Sequence, residues 1–344
     1  MSKDLKVDFL SDFIILKNVL GNRILGTNGA ISAFRSQAEI MSKYARVSIN
    51  GGGSDFDIYH SHSSMPFTYR IIHNALKHNK PVVVTAHQTH KDTDDSLSLP
   101  GFISEIIKWY IAYYLNLADL IICPSEIVKN VVRDELMIRD RPIKVVSNGI
   151  NTEIYKFSSN KRRTFRKEYK LNKPTVISVG MPINRKGYQH FINFANHIPE
   201  CNFLWAGEHF FSFLNPKYLQ GGSNLITPGY VEDINKVYSG GDIFCFPSFY
   251  EGEGLVILEA MCCGLPVIIR DLPVYEDRYI DGETCLKAES DKEFIDCIYY
   301  LINNSDEKER IAKNGQKLVK SSFDIGTSVE KIYGIYEKLI ALKS

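Results

Sequence analysis

Short apolar runs and helical periodicities take turns along this chain. Leu5–Leu10, Phe56–His62, Pro81–His87 and Leu120–Ser125 read as strands, several of them ending in polar residues. Between them, apolar positions recur at helical spacing over Ile31–Tyr44, 66–79 and Phe102–Leu117. The alternation pauses near residue 155 and restarts at Pro174. Strands are expected at Thr175–Val179, Asn202–Gly207, Asp242–Phe246 and Val267–Ile269, and helices at 188–197, Leu255–Met261, 291–304, 306–320 and Val329–Leu342. Strands that alternate with helices in this way predict an α/β protein whose parallel sheets carry helices on both faces. A length of 344 residues exceeds one ordinary core. Two units are therefore expected, residues 1–155 and 156–325, with a final helix over 326–344.

Composition narrows the function classes. The chain is 44% hydrophobic and 24% charged, as a soluble globular protein is. Lys and Arg number 41 against 40 Asp and Glu, which gives no support to nucleic-acid binding. Cys123, Cys201, Cys245, Cys262, Cys263, Cys285 and Cys297 form no Cys-x-x-Cys pair and sit mostly among apolar residues, the pattern of reduced, buried thiols in a cytosolic protein. No basic-then-apolar leader opens the chain, and the near-apolar stretch Ile106–Cys123 is interrupted by Lys108, Asn116 and Asp119.

Two surface-chemistry segments have more than one reading. The helix at 102–117 carries Phe102, Trp109, Tyr110, Tyr113 and Tyr114. Amphipathic aromatic helices lie on membranes or in cores; with Lys108 as its single cation, a core helix is the expectation. The basic run Lys161, Arg162, Arg163, Arg166 and Lys167 is expected to form the solvated start of a linker helix, with anionic lipid contact as the alternative.

The richest chemistry lies in FPSFYEGEGLVILEAMCCGLPVII, residues 246–269. Gly252 and Gly254 make a loop without bulk, and the helix that follows presents unpaired N–H groups and the positive end of its dipole, a site suited to phosphate. Glu251 in the loop and Glu259 in the helix's second turn would repel phosphate, so they suit hydroxyl partners. A nucleotide sugar has that polarity. The plain alternative is an ordinary α/β connection. Elsewhere, Gly26–Gly29 precedes a helix without the dinucleotide spacing, and His87 ends a strand, where open α/β sheets place ligands.

The segment from Glu251 to Met261, followed by Gly264-Leu-Pro-Val, resembles the acidic signature of family 4 retaining glycosyltransferases. Glu253 stands where that family usually has Phe. Gly180-Met-Pro-Ile-Asn-Arg185-Lys186-Gly187 resembles the family's phosphate segment, with Met181 in place of an Arg that Arg185 replaces in charge. Pro228–Val231 resembles the part whose backbone reads the nucleobase, and VVVTAHQTH the part whose His lies beside the transferred sugar. The resemblance implies a GT-B fold: two Rossmann-like domains facing across a cleft, with a C-terminal helix crossing back to the first domain.

It further implies His87 and Glu251 as catalytic residues. Gly26, Gly29, Arg185, Lys186, Tyr230, Val231, Gly252, Glu253, Gly254, Leu255 and Glu259 would bind the donor. NRKG at 184–187, FLWAGE at 203–208, TPGYV at 227–231 and RDLPVYE at 270–276 are similar to bacterial enzymes that build glycosyl-diacylglycerol lipids. The implied activity is retaining, metal-independent transfer of glucose or galactose from a UDP-sugar to diacylglycerol or its monoglycosyl form. No cofactor is implied, and the protein would sit peripherally on the cytoplasmic side of the membrane. A polysaccharide or polyprenyl-linked acceptor is the alternative within the family. Outside it stand a non-catalytic nucleotide-sugar sensor and a metal-dependent hydrolase using His60, His62, His87, His90, Asp92, Asp94 and Asp95.

Overall fold

The computed structural model describes residues 5–12, 14, 29–53, 55–63, 66–87, 101–208 and 222–343. Gly26, His90, Asp92, Asp94 and Asp95 lie outside them. The chain forms two compact units, Met1–Ile150 joined by Asp324–Ser344, and Asn151–Phe323.

The first unit is built on β1 (Lys6–Leu10), β2 (Arg46–Ile49), β3 (Ile58–Ser61), β4 (Val82–Thr85), β5 (Leu120–Cys123) and β6 (Ile143–Val145), in the order β2-β1-β3-β4-β5-β6. All pairings are parallel. The central strands are buried along their whole length, as continuous apolar runs require when helices cover both sheet faces. On one face Val7, Phe9, Ile58 and Val83 pack against α1 (Gly29–Met41) and the C-terminal helix, Ile325–Lys343, whose Ile325, Val329, Ile332 and Tyr336 enter the same core. The other face holds α2 (Pro66–Lys77), α3 (Gly101–Asn116) and α4 (Glu126–Asn130), the last capped by Ser125, whose Oγ accepts from the Val128 N–H. The aromatic helix α3 is only partly a core helix. Ile111, Tyr114 and Leu115 are buried, but Phe102, Trp109 and Tyr113 face outward.

The second unit contains α5 (Ser159–Glu168), β7 (Thr175–Val179), α6 (Tyr188–His197), β8 (Asn202–Ala206), β9 (Leu225–Gly229), α7 (Ile234–Gly240), β10 (Ile243–Phe246), α8 (Leu255–Cys262), β11 (Val267–Arg270), β12 (Leu286–Ala288), α9 (Asp291–Asn303) and α10 (Ser305–Ser322). Its parallel sheet runs β12-β11-β10-β7-β8-β9. Phe191, Phe203 and Trp205 form an edge-to-face aromatic centre for the core, in the arrangement ring quadrupoles favour.

Two expectations change. The unit begins at Asn151, ahead of the residue 156 that the pattern gave, because the carbonyls of Thr152 and Ile154 accept from Cys262 and Asn235. The basic run in α5 is solvated only in part: Arg163 and Lys167 are exposed, and the other three cations are engaged. Arg162 and Arg166 both grip Asp242, at 2.6 and 3.0 Å, Lys161 pairs with Asp233, and Phe165 is buried. Those pairs hold α5 against the sheet.

Candidate functional site

The second sheet reverses its strand order between β7 and β10: the chain runs outward to β8 and β9 on one side and to β11 and β12 on the other. Open parallel sheets bind ligands at the carboxyl ends of the strands flanking such a reversal. Here those ends lead into Gly180–Gly187 and Pro247–Gly254. The two loops are laced together. The Phe249 N–H donates to the Arg185 carbonyl at 2.8 Å, and Arg185 Nη1 donates to the Tyr250 carbonyl at 2.8 Å. Gly187 has φ 76°, and a Cβ there would stand 2.3 Å from the Pro247 carbonyl oxygen, so only glycine permits this approach.

The close approach puts Lys186 against Glu251. Nζ donates to Oε1 at 2.6 Å, and Ser248 Oγ donates to the same oxygen at 2.6 Å. The Lys186 ammonium also lies 5.2 Å from the Phe246 ring centroid. Both charges are largely buried, which makes their mutual attraction far stronger than at a surface.

Helix α8 starts immediately after. Gly254 is its N-cap, with φ 80°, and a Cβ there would lie 2.7 Å from the Tyr275 hydroxyl. No side chain caps this end and no acid occupies the first turn of the helix. Gly252 and Leu255 are half-buried at its mouth. Glu253 is buried and paired with Arg278 at 3.4 Å, and the Arg278 guanidinium lies over Phe323. The acid that replaces the family's aromatic residue thus has a cation of its own. Met181 is exposed.

Glu259 lies deeper in α8. Tyr238 donates to its Oε2 at 2.6 Å, and the Tyr155 hydroxyl donates to it as well. Burial pushes the carboxyl up to about 7, and the two tyrosine hydrogen bonds pull in the opposite direction. Exposed Tyr230 and half-buried Val231 follow β9, two strands along the sheet from β7.

The first sheet reverses between β1 and β3. His62 and Asp12 follow those two strands. His62 Nδ1 and His87 Nε2 share a hydrogen bond of 2.9 Å, and the His62 ring stacks on Phe9 with centroids 5.1 Å apart. His60, one pleat back on β3, uses both ring nitrogens, toward Tyr336 at 2.5 Å and Thr85 at 2.7 Å. Burial pushes His87 down to about 4 and His60 to about 3, and His62 is also strongly lowered, so all three are neutral at physiological pH. Asp12 accepts from the Thr68 N–H at 2.8 Å and Thr68 Oγ1 at 2.7 Å, which caps the first turn of α2.

The structure therefore gathers Arg185, Lys186, Glu251, Gly252, Glu253, Gly254, Leu255 and Glu259 around one sheet reversal. His87 belongs to the first unit, where Gly29 opens α1. The hydrolase reading loses His60, whose two nitrogens are engaged. Among the described residues no group of three or more His, Cys, Asp and Glu is arranged to hold a metal ion. The sequence patterns did not single out Ser248, Tyr155, Tyr238, Arg278 or Asp12. Asp12 was legible in principle from its place just past β1. The tyrosines come from separate segments and meet Glu259 only through folding.

Known proteins show the same organisation. Residues 31–154 match the family described as Glycosyltransferase Family 4, and residues 160–318 match Glycosyl transferases group 1. The processive diacylglycerol alpha-glucosyltransferase of Acholeplasma laidlawii is 31% identical over 300 residues, covering 80% of this chain and 87% of that protein. The alpha-galactosylglucosyldiacylglycerol synthase of Streptococcus pneumoniae is 25% identical, covering 72% and 70%. The crystal structure of Anabaena HepE in complex with UDP and glucose superposes with a TM-score of 0.75 at 18% identity, over 97% of this chain and 100% of that one, a likeness of fold. Two parallel α/β units, two matched family segments and a relative spanning most of both chains identify this protein as a member of the family 4, group 1 glycosyltransferases.

Proposed function

We propose that the protein transfers glucose or galactose from a UDP-sugar to diacylglycerol or its monoglycosyl form, with retention of anomeric configuration and without a metal ion. The observation that carries the reading is the Lys186–Glu251 pair beside the uncapped start of α8. The α8 amides and Lys186 would take the diphosphate and stabilise the charge that develops on it. Glu251 would accept from sugar hydroxyls, Glu259 from the ribose, and neutral His87 of the first unit would hydrogen-bond a sugar hydroxyl. In the transfer, the bond from the sugar's anomeric carbon to the diphosphate oxygen breaks and its electron pair leaves with UDP. The acceptor hydroxyl oxygen bonds the same carbon on the same face and its proton is released. The names of the two glycolipid-synthesising relatives support the acceptor class.

The test is UDP release from a panel of UDP-hexoses, with and without vesicles carrying diacylglycerol or its monoglycosyl form. Release that requires one hexose and the lipid is the expected result. Lipid-independent release would redirect the acceptor to another class, and no release with any UDP-hexose would overturn the donor assignment.

A further inference from the structure

His87 is braced from behind by a chain of buried polar groups that starts on the C-terminal helix. Its direct partner is His62 Nδ1, while His62 Nε2 is buried and has no hydrogen bond among the described residues. Beyond the bond to His87, the His62 ring is held by ring contacts: Phe9 at 5.1 Å, Phe34 at 5.2 Å and His60 at 4.1 Å between centroids. Of these three rings His60 is the nearest, and it alone is polar. One proton lies between His62 Nδ1 and His87 Nε2, so the state of His62 dictates which His87 nitrogen is protonated. That choice decides whether His87 Nδ1 offers a substrate hydroxyl a donor or a lone pair.

His60 is itself fixed at both nitrogens. Tyr336 reaches it from the C-terminal helix, its hydroxyl 2.5 Å from Nδ1 and its ring edge-on at 5.7 Å. Burial pushes that hydroxyl well above its usual range, so it keeps its proton. A phenol is a stronger donor than a neutral imidazole N–H, so Tyr336 donates to Nδ1. His60 then carries its own proton at Nε2 and donates to Thr85 Oγ1 at 2.7 Å. Thr85 closes β4, and its carbonyl accepts from the His87 N–H at 3.0 Å. His60 therefore reaches His87 along two lines, through the His62 ring and through the strand end that carries His87. His60, Thr85 and Tyr336 are all buried, and a paired polar network in such a place rigidifies what it touches.

We propose that Tyr336 is a positioning residue for His87, acting through His60 on the His62 ring and on the Thr85 strand end. Its effect on turnover rests on the role given to His87 above; the bracing itself does not.

The experiment labels the nine histidines of the full chain with nitrogen-15 and reads their imidazole shifts, which report the tautomer, beside steady-state kinetics. The His87 signals are assigned by their loss in His87→Gln. Tyr336→Phe keeps the ring and removes the hydroxyl. The expected result is that the His60 and His87 shifts both move and that kcat falls about three- to tenfold, at a donor KM within about twofold of wild type. Thr85→Val, which removes the other partner of His60, is expected to act in the same way. Ile332→Ala, one turn earlier on the same helix, empties core space without removing a polar group. It is expected to lower Tm while the His87 shifts stay in place and kcat stays within about twofold. Unmoved His87 shifts in Tyr336→Phe would overturn the proposal, as would a loss of turnover no greater than that of Ile332→Ala. The shifts are read without donor or acceptor and so decide the bracing on their own. Full turnover in His87→Gln would instead overturn the catalytic role of His87.

Discussion

The Lys186 ammonium lies 2.6 Å from Glu251 Oε1, joining the two strand ends between which the second sheet reverses. The same two side chains are assigned to opposite ends of the donor, cation to diphosphate and acid to sugar. Each is a hydrogen-bond partner of the other, and Ser248 donates to the same Glu251 oxygen. Glu251→Ala and Lys186→Met are each expected to lower kcat by about 10²–10³-fold. Each leaves a buried partner uncompensated, so Tm should fall in both. The double variant should recover Tm without recovering turnover. A double-mutant cycle in Tm beside kcat checks this, and recovery of activity along with stability would mean that the pair is only structural.

Gly187→Ala tests how that pair is assembled. The added Cβ meets the Pro247 carbonyl at 2.3 Å, at a backbone φ of 76°. The loops must separate, and a loss of about 2 kcal/mol or more is expected, read as a lower denaturation midpoint. UDP affinity should fall with it, because Lys186 precedes the displaced residue.

Glu259 predicts a pH dependence of stability. Its carboxyl is raised from 4.5 to about 7 in the folded state, so the folded protein holds that proton more tightly than the unfolded chain. The stabilisation is full below pH 4.5 and lost as pH rises toward 7, a change of up to about 3 kcal/mol. Glu259→Gln should flatten that part of the Tm profile and exceed wild type in Tm above pH 7. UDP affinity should nevertheless weaken in this variant, since the ribose would lose an anionic acceptor.

The histidine pair predicts the pH behaviour of the reaction. With His87 held down to about 4, the rate should show no His87 inflection between pH 5 and 8. His87→Gln is expected to lower kcat by about 10- to 100-fold through a lost substrate hydrogen bond. His62→Phe keeps a ring against Phe9 and removes the partner that fixes the His87 tautomer, so a smaller loss in kcat with little change in donor KM is expected. An inflection near pH 6.5 that vanishes in His87→Gln would show that this imidazole is titrating.

The α/β class and most elements were legible in the sequence, because buried parallel strands are continuous apolar runs and their helices keep a regular period. The loop from Glu251 to Gly254 was legible for a different reason: glycine and acid spacing is local. The neighbours of those residues were not. Arg278 answers Glu253 and Tyr238 answers Glu259 from separate segments of chain, and no short-range pattern announces either pairing. Arg162 and Arg166 look like a solvated basic run until Asp242 is brought beneath them. Phe102 and Trp109 look like core residues, since periodicity measures spacing and not which face turns inward.

Because the first unit takes its last helix from residues after 323, its folding order is expected to differ from its order of synthesis. Residues 151–323 leave the ribosome as a complete unit, while the amino-terminal sheet waits for Val329, Ile332 and Tyr336 to cover one of its faces. The half that starts first finishes last. Until then that face is expected to leave apolar surface uncovered, with His60 lacking the Tyr336 hydroxyl. A chain stopped at Phe323 is accordingly expected to melt with one calorimetric transition, that of the second unit.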